Sequence, residues 1–538
     1  MVFTLLLLLS ACDLGKDFSD FAKGLRQSNN PDPTLGAKLV MGGIAADAPR
    51  AVQAGRAVLI EGGNAVDAAA AMYFALAVTL PSSASLGGGG VCLVHDGFSG
   101  KTEAIDFLAR SPKSISATAE RPSAVPGNVR GFFALHAKYG RLRWARIVAP
   151  AEKLARFGFP VSRALAKDIA KMEEALAAEP SVRSVFAGTS RTGMLKEGDT
   201  LTQLDLTSVL GRLRSLGPVD FYSGATARKL VQAVNEAGGS LSFKDLSGFK
   251  PKWLPTLFVP FKGMKTHFSP PPAAAGVVAA EMWSMLTLDK RYEDAEPEEK
   301  NHLIAEAAYR AFASREQWMR DDGSSSVDVN KLATPPRSEK MMSGYRSGGH
   351  TPIKPKPGGR PENPSATSLA VIDEDGYGIA CALTMNNLFG AGRVAEGTGI
   401  LIAAAPGKGG RGPASLGPVL LTDDQRIYFA GAASGGVAAP TALVSILART
   451  QIGEMPLEEA MAVKRVHHSG APDVVYYEQG LKNSEIRNLA KRGHRLAATK
   501  ALGRVNAVSC FEGVPDEVKE CAARTDPRGY GMAVNVGF

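Results

Sequence analysis

Apolar and polar positions fall in blocks of two different periods along the chain. Ala48 to Glu61 carries an Ala/Val/Leu face at helical spacing and stops at Gly62-Gly63, which predicts a capped helix. Asn64 to Val78 is almost wholly apolar, which predicts a second helix buried all round. Leu39 to Met41 begins a strand, and PSSASLGGGG (Pro81 to Gly90) runs into another at Val91 to His95. Ala305 to Arg315 and Leu457 to Val466 read as helices, and Gly397 to Ala404 as a strand. The strongest local signal lies between Asn363 and Phe389. There the apolar runs Leu369 to Ile372 and Ile379 to Leu383 flank Asp373-Glu374-Asp375-Gly376, a hairpin turn. Asp321 to Pro364 is polar and rich in Pro, Gly and Lys, and its last part, from Arg346, has no apolar period and reads as a loop.

The loop enters the hairpin through Ser365, Thr367 and Ser368. An ordinary Ser/Thr-rich loop has that composition. So does the processing site of a self-cleaving N-terminal-nucleophile hydrolase, where a hydroxyl residue heads a new strand and its freed amine serves as base. The four glycines Gly87 to Gly90 predict close approach of backbone to backbone or to a ligand. Neither a Lys-Ser/Thr pair nor a helix follows them, which argues against a Walker phosphate loop.

With 538 residues, 45% of them hydrophobic, the chain can build one large domain or two to three ordinary ones. The net charge of +9 is scattered, without the clustered Lys/Arg and aromatic residues of a nucleic-acid site, so nucleic acid is not an expected partner. Met1 to Ala11 is apolar, too short to span a bilayer, and ends in Leu9-Ser10-Ala11-Cys12, which resembles a bacterial lipobox. The expectation is a signal peptide over residues 1–12, lipidation of Cys12, a polar tether over 13–38, and a lipid-anchored place in the bacterial periplasm or cell envelope. Cys92 and Cys381 lie in apolar strands and read as small core residues. Cys510 and Cys521 flank Phe511 to Glu520, and either pair in an oxidising compartment or remain separate thiols. His467 and His468 are adjacent, so they point apart, and no carboxylate or Cys stands at ligand spacing. No metal and no organic cofactor is expected.

Several separated motifs together resemble the γ-glutamyltransferase (glutathione hydrolase) family. Around the hairpin these are Val371-Ile372-Asp373, Asp375-Gly376, Thr384-Met385-Asn386 and Phe389-Gly390, all in register without a gap. Elsewhere they are EGGNAVDAA (Glu61 to Ala69), Gly87 to Gly90, VPGNVRG (Val125 to Gly131), SPPPAAAG (Ser269 to Gly276), Pro413 to Pro418, Gly435-Gly436, His467-His468 and Asp526-Pro527-Arg528. The resemblance implies an α+β fold, the αββα sandwich of N-terminal-nucleophile hydrolases. It also implies a large-subunit-like region at 39–365, with a processing linker at 321–365, and a small-subunit-like region at 366–538. Thr384 and Asn386 would orient nucleophile and substrate, and the Gly435 and Gly436 amides would hold the oxyanion.

The departures from the family pattern are as informative. The nucleophilic threonine falls on Ala366, a degenerate position, and the carboxylate-clamping arginine falls on Leu108, with Arg110 two residues on. The two residues that hold the substrate amine become Ala405 and Lys408, and of two carboxylate-binding serines only Ser415 remains, the other being Ala414. Thr367 is the replacement nucleophile the motif offers, although neighbouring strand residues face opposite sides. Three outcomes stay open: an amide hydrolase or acyl transferase with standard γ-glutamyl activity weak or absent; a non-catalytic binding or scaffold member; and a Thr367-dependent hydrolase of a different, more anionic amide. A small-molecule amide or peptide is the expected substrate of an active member.

Overall fold

The computed structural model describes residues 42–119, 121–188, 193–353, 365–407, 415–516 and 521–536. The expectations for Cys12, the tether, Lys408 and Ala414 fall outside them. Thirteen strands form two antiparallel sheets. In chain order they are β1 (Gly42–Ala46), β2 (Gly89–His95), β3 (Thr102–Asp106), β4 (Lys252–Pro255), β5 (Leu257–Phe261), β6 (Met264–Phe268), β7 (Ala366–Asp373), β8 (Gly378–Thr384), β9 (Val419–Thr422), β10 (Ile427–Ser434), β11 (Arg504–Val514), β12 (Cys521–Thr525) and β13 (Met532–Val536). The first sheet has the order β13-β1-β7-β8-β2-β3-β4, the second β12-β11-β10-β9-β6-β5.

Period-two alternation sorts each strand between two environments. In β7 and β8, Ala370, Ile372 and Ala380 meet Leu420, Ala430, Ala432 and Val508 of the second sheet. Small residues dominate this inter-sheet layer. Leu369, Val371, Ile379 and Leu383 point the other way, into a core shared with helices α1 (Pro49–Ile60), α2 (Ala65–Thr79) and α3 (Asn128–Tyr139). The outer face of the second sheet is covered by α4 (Ala275–Thr287), α5 (Pro297–Trp318) and α6 (Ala439–Leu447). The result is the αββα sandwich of the N-terminal-nucleophile hydrolases.

The helix over Ala48 to Glu61 and the buried helix that follows form where the pattern places them. Asn64 caps α2 in a reciprocal box with Asp67, and every residue of α2 is buried. The four glycines serve backbone contact: a Cβ on Gly87 would lie 2.2 Å from the Leu401 carbonyl oxygen, and one on Gly89 would lie 1.9 Å from the Ala109 nitrogen.

Several expectations need correction. Cys92 and Cys381, opposite one another on β2 and β8, form a disulfide rather than lying as free core thiols. Cys510 and Cys521 also pair, on β11 and β12. Gly397 to Ala404 is not a continuous strand. Gly397 and Gly399 take positive φ, Ile400–Leu401 pairs with Val394–Ala395, and Ile402 and Ala404 make isolated bridges to Gly87 and Ser123. The helix from Leu457 ends at Ala462, and Val466–His468 is a strand. Among the described residues after Asp321 is a helix at Pro335–Met342 that starts on two prolines and buries Ser338 and Met342.

Candidate active site

The nucleophile position of the resemblance is the first residue of β7. Ala366 pairs with Thr384, the last residue of β8. Ala366 is 5% exposed and packs with Val91, Leu108, Ala273, Ala382 and Leu416. The pocket-forming elements are therefore present, and apolar side chains line the point where they meet. Leu108, at the clamp position, is one of them. Leu416 and Ala273 come from the segment after Ser415 and from the SPPPAAAG turn. These two stretches touch closely enough that a Cβ on Gly417 would lie 2.7 Å from the Gly276 nitrogen. The sequence carries no local sign that Leu416 and Ala273 join the apolar cluster around Ala366, because they lie 50 and 93 residues from it along the chain.

Thr367 is completely buried on the opposite face of β7. Its Oγ1 donates to Asp47 Oδ2 at 2.8 Å. Asp47 Oδ1 accepts from Asn506 Nδ2 at 3.0 Å, and the same amide group donates to the Ser368 carbonyl at 3.1 Å and contacts Ser368 Oγ at 2.9 Å. Asp47 follows β1 and Asn506 lies on β11, so this network ties both sheets to the head of β7. Strand alternation explains the outcome: Ala366 and Ser368 face the second sheet, and Thr367 between them cannot.

The residues expected to orient nucleophile and substrate are fixed by local hydrogen bonds. Thr384 Oγ1 accepts the Asn386 N–H at 2.9 Å and lies 3.4 Å from Ser365 Oγ and from the Ser365 carbonyl oxygen. Asn386 takes a left-handed φ of 63° and donates its Nδ2 to the Ala404 carbonyl at 2.8 Å. Gly435 and Gly436 follow β10 with φ of 118° and 70°, and a Cβ on Gly435 would lie 2.7 Å from Gly503 Cα, so only glycine fits.

The substrate-binding candidates are distributed differently. Arg110 donates to Asp106 Oδ2 at 2.9 Å, and its guanidinium lies 5.5 Å from the Phe249 ring centroid. Its charge is engaged within its own segment. Ser415 is half-buried next to Leu416. Ala405 is completely buried and its N–H donates to the Pro122 carbonyl at 2.8 Å. The described part of this site has an alanine at the strand head, an ion-paired arginine nearby, and Thr384 and Asn386 held by hydrogen bonds. It presents no free cation for a carboxylate.

Comparison with known proteins agrees with this geometry. The Gamma-glutamyltranspeptidase family pattern matches residues 51–405 and 402–536. The chain is 27% identical to the glutathione hydrolase proenzyme of Pseudomonas aeruginosa, over 96% of this chain and 99% of that one. It is 28% identical to the glutathione hydrolase proenzyme of Escherichia coli, over 85% and 86%. Among solved structures, Helicobacter pylori gamma-glutamyltranspeptidase is 29% identical with a TM-score of 0.52, covering 57% of this chain and 93% of that chain. The cephalosporin acylase of Bacillus halodurans shares the fold, with a TM-score of 0.79 at 23% identity over 92% and 96% of the two chains. By its motifs, its register and these matches, the chain belongs to the γ-glutamyltranspeptidase family.

Proposed function

We propose that this chain is a γ-glutamyltranspeptidase-family member in which standard γ-glutamyl hydrolysis and transfer are lost or severely reduced, and that it retains the fold to bind a peptide or amide ligand. The observation that carries the reading is the enclosure of Ala366 by Leu108 and Leu416. A methyl group can neither attack a carbonyl nor start self-cleavage. An oxyanion hole contributes roughly 10²–10³ in rate per donor, but it has no tetrahedral intermediate to stabilise when the attacking hydroxyl is absent. The ion pair of Arg110 with Asp106 and the apolar residue at 108 support loss of α-carboxylate recognition as well. On this reading residues 39–365 and 366–538 correspond to the two subunit-like regions and remain one polypeptide.

The Thr367-dependent alternative has less support, since its hydroxyl is committed to Asp47 across the strand from Ala366. The purified chain, incubated and then run on a reducing denaturing gel, is expected to stay a single band and to release no product from a chromogenic γ-glutamyl amide. Two fragments whose smaller member begins at Ser365 or Thr367, with product release that disappears in Thr367→Ala, would establish an active enzyme instead.

A further inference from the structure

Four of the eight histidines gather far from Ala366, behind the second sheet, and the family reading gives them no task. His302 and Glu306 stand one turn apart on the same face of α5. His494, after the last helix, meets them there. All three are buried, at 0%, 1% and 7% exposure. His302 Nδ1 is 2.7 Å from His494 Nε2, and His494 Nε2 is 3.9 Å from Glu306 Oε1. The three ligand-type atoms lie within 4.8 Å of one another.

The hydrogen bonds behind these atoms matter as much as the distances. His302 Nε2 lies 2.9 Å from the Arg346 carbonyl, which can only accept. In the neutral ring the proton is therefore on Nε2, and Nδ1 presents a lone pair toward His494. Glu306 is held from behind: its Oε2 accepts from Arg310, and its Oε1 lies 2.6 Å from His350 Nδ1. A histidine whose outer N–H is fixed on a backbone carbonyl and a carboxylate fixed by a second-sphere donor are the arrangement that orients metal ligands.

We propose that His302 Nδ1, His494 Nε2 and Glu306 Oε1 form a binding site for a divalent transition-metal ion of the zinc class. Two imidazoles and one carboxylate are a ligand set that zinc accepts, leaving one tetrahedral position for water. Bonds of about 2.0–2.1 Å put tetrahedral ligand atoms about 3.3 Å apart. The 2.7 Å pair must open and the 3.9 Å pair must close, each by roughly 0.6 Å. To coordinate through Nε2, His494 carries its proton on Nδ1. The exposed turn at Arg346 to Gly348 lies next to the cluster, its Arg346 carbonyl 2.9 Å from His302 Nε2. The only sequence sign of the site was a His-x-x-x-Glu spacing in a helix, and its third ligand is 188 residues downstream of Glu306.

The test uses the full chain, stripped with a chelator and dialysed. Titration with Co(II) is expected to give the visible absorption of a tetrahedral site, saturating at one ion per chain. Zn(II) is expected to displace it and to raise the melting temperature. His494→Gln keeps a donor toward His302 and preserves the fold, checked by circular dichroism. It is expected to weaken Co(II) binding at least tenfold. Absence of stoichiometric Co(II) and Zn(II) uptake by the wild-type chain would overturn the proposal and leave a purely hydrogen-bonded cluster. Unchanged affinity in a folded His494→Gln variant would overturn it too, by placing the ion elsewhere.

Discussion

The two ends of strand β7 have had different histories. At its C-terminal end Asp373 keeps the family residue and uses it fully. Its Oδ2 accepts the Ala65 N–H that opens α2 at 2.7 Å, and its Oδ1 accepts the Asp375 and Tyr377 N–H groups, each at 3.0 Å. At the N-terminal end Ala366, where the proposed reading places the family's hydroxyl, presents a methyl group among aliphatic neighbours. A polar group that satisfies buried backbone is retained because removing it leaves donors unpaired. A polar group whose partner was a substrate leaves nothing unpaired when it goes, and an apolar neighbour can fill the space. The glycines follow the first rule: Gly435 and Gly87 are fixed by backbone contacts that no side chain could replace.

That contrast can be pressed from both ends. Asp373→Ala strands three N–H groups, a buried one at a helix start and two part-buried ones in a turn. It is expected to destabilise the chain by about 3–5 kcal/mol, read from the urea midpoint. A loss below about 1 kcal/mol would erase the distinction between the two ends.

A pH effect of similar size is expected from the inter-sheet histidines. Burial lowers His95 from 6.5 to about 4, while its Nδ1 lies 2.8 Å from Thr102 Oγ1. The folded state thus binds its proton less readily than the unfolded chain. Stability from this residue is complete above pH 6.5 and is lost as the pH falls toward 4. At about 1.4 kcal/mol per unit the full loss is roughly 3 kcal/mol. His95→Gln is expected to flatten the urea midpoint between those pH values, and an unchanged slope would remove His95 as its source.

Ala366→Thr returns the hydroxyl to a tightly packed apolar site. It is expected to cost about 2 kcal/mol through overpacking and to leave chromogenic γ-glutamyl hydrolysis undetected, because Leu108 still occupies the clamp position. Recovery of activity by this single change would show that the substrate grip had survived. The smallest effect belongs to Thr367→Val, which keeps the shape and removes the bond to Asp47. A loss of about 1 kcal/mol is expected, with no change in processing.

The hairpin and the first two helices are legible in the sequence, because each rests on short-range period or turn chemistry. The αββα architecture was legible through family motifs, not through periodicity. Three kinds of feature were hidden. The Cys92–Cys381 disulfide depends on strands 289 positions apart lying side by side. The Gly397 to Ala404 stretch looked like a strand because its apolar run masked two glycines in positive-φ turns. The side of β7 that Thr367 faces could be argued from alternation, but its partners Asp47 and Asn506 gave no local signal. The metal-type cluster is hidden for the same reason: its groups converge from α5 and the far C-terminal region.

The central claim is that no hydroxyl at the head of β7 is placed to cut the chain or attack a substrate. The direct measurement is the intact mass of the purified, reduced protein after prolonged incubation. Reduction is needed because the Cys92–Cys381 bond would otherwise hold two fragments together. A single mass with no break between residues 353 and 368 is the expected result. A pair of masses that sum to the chain plus one water, with the smaller starting at Ser365, Ala366 or Thr367, would contradict it.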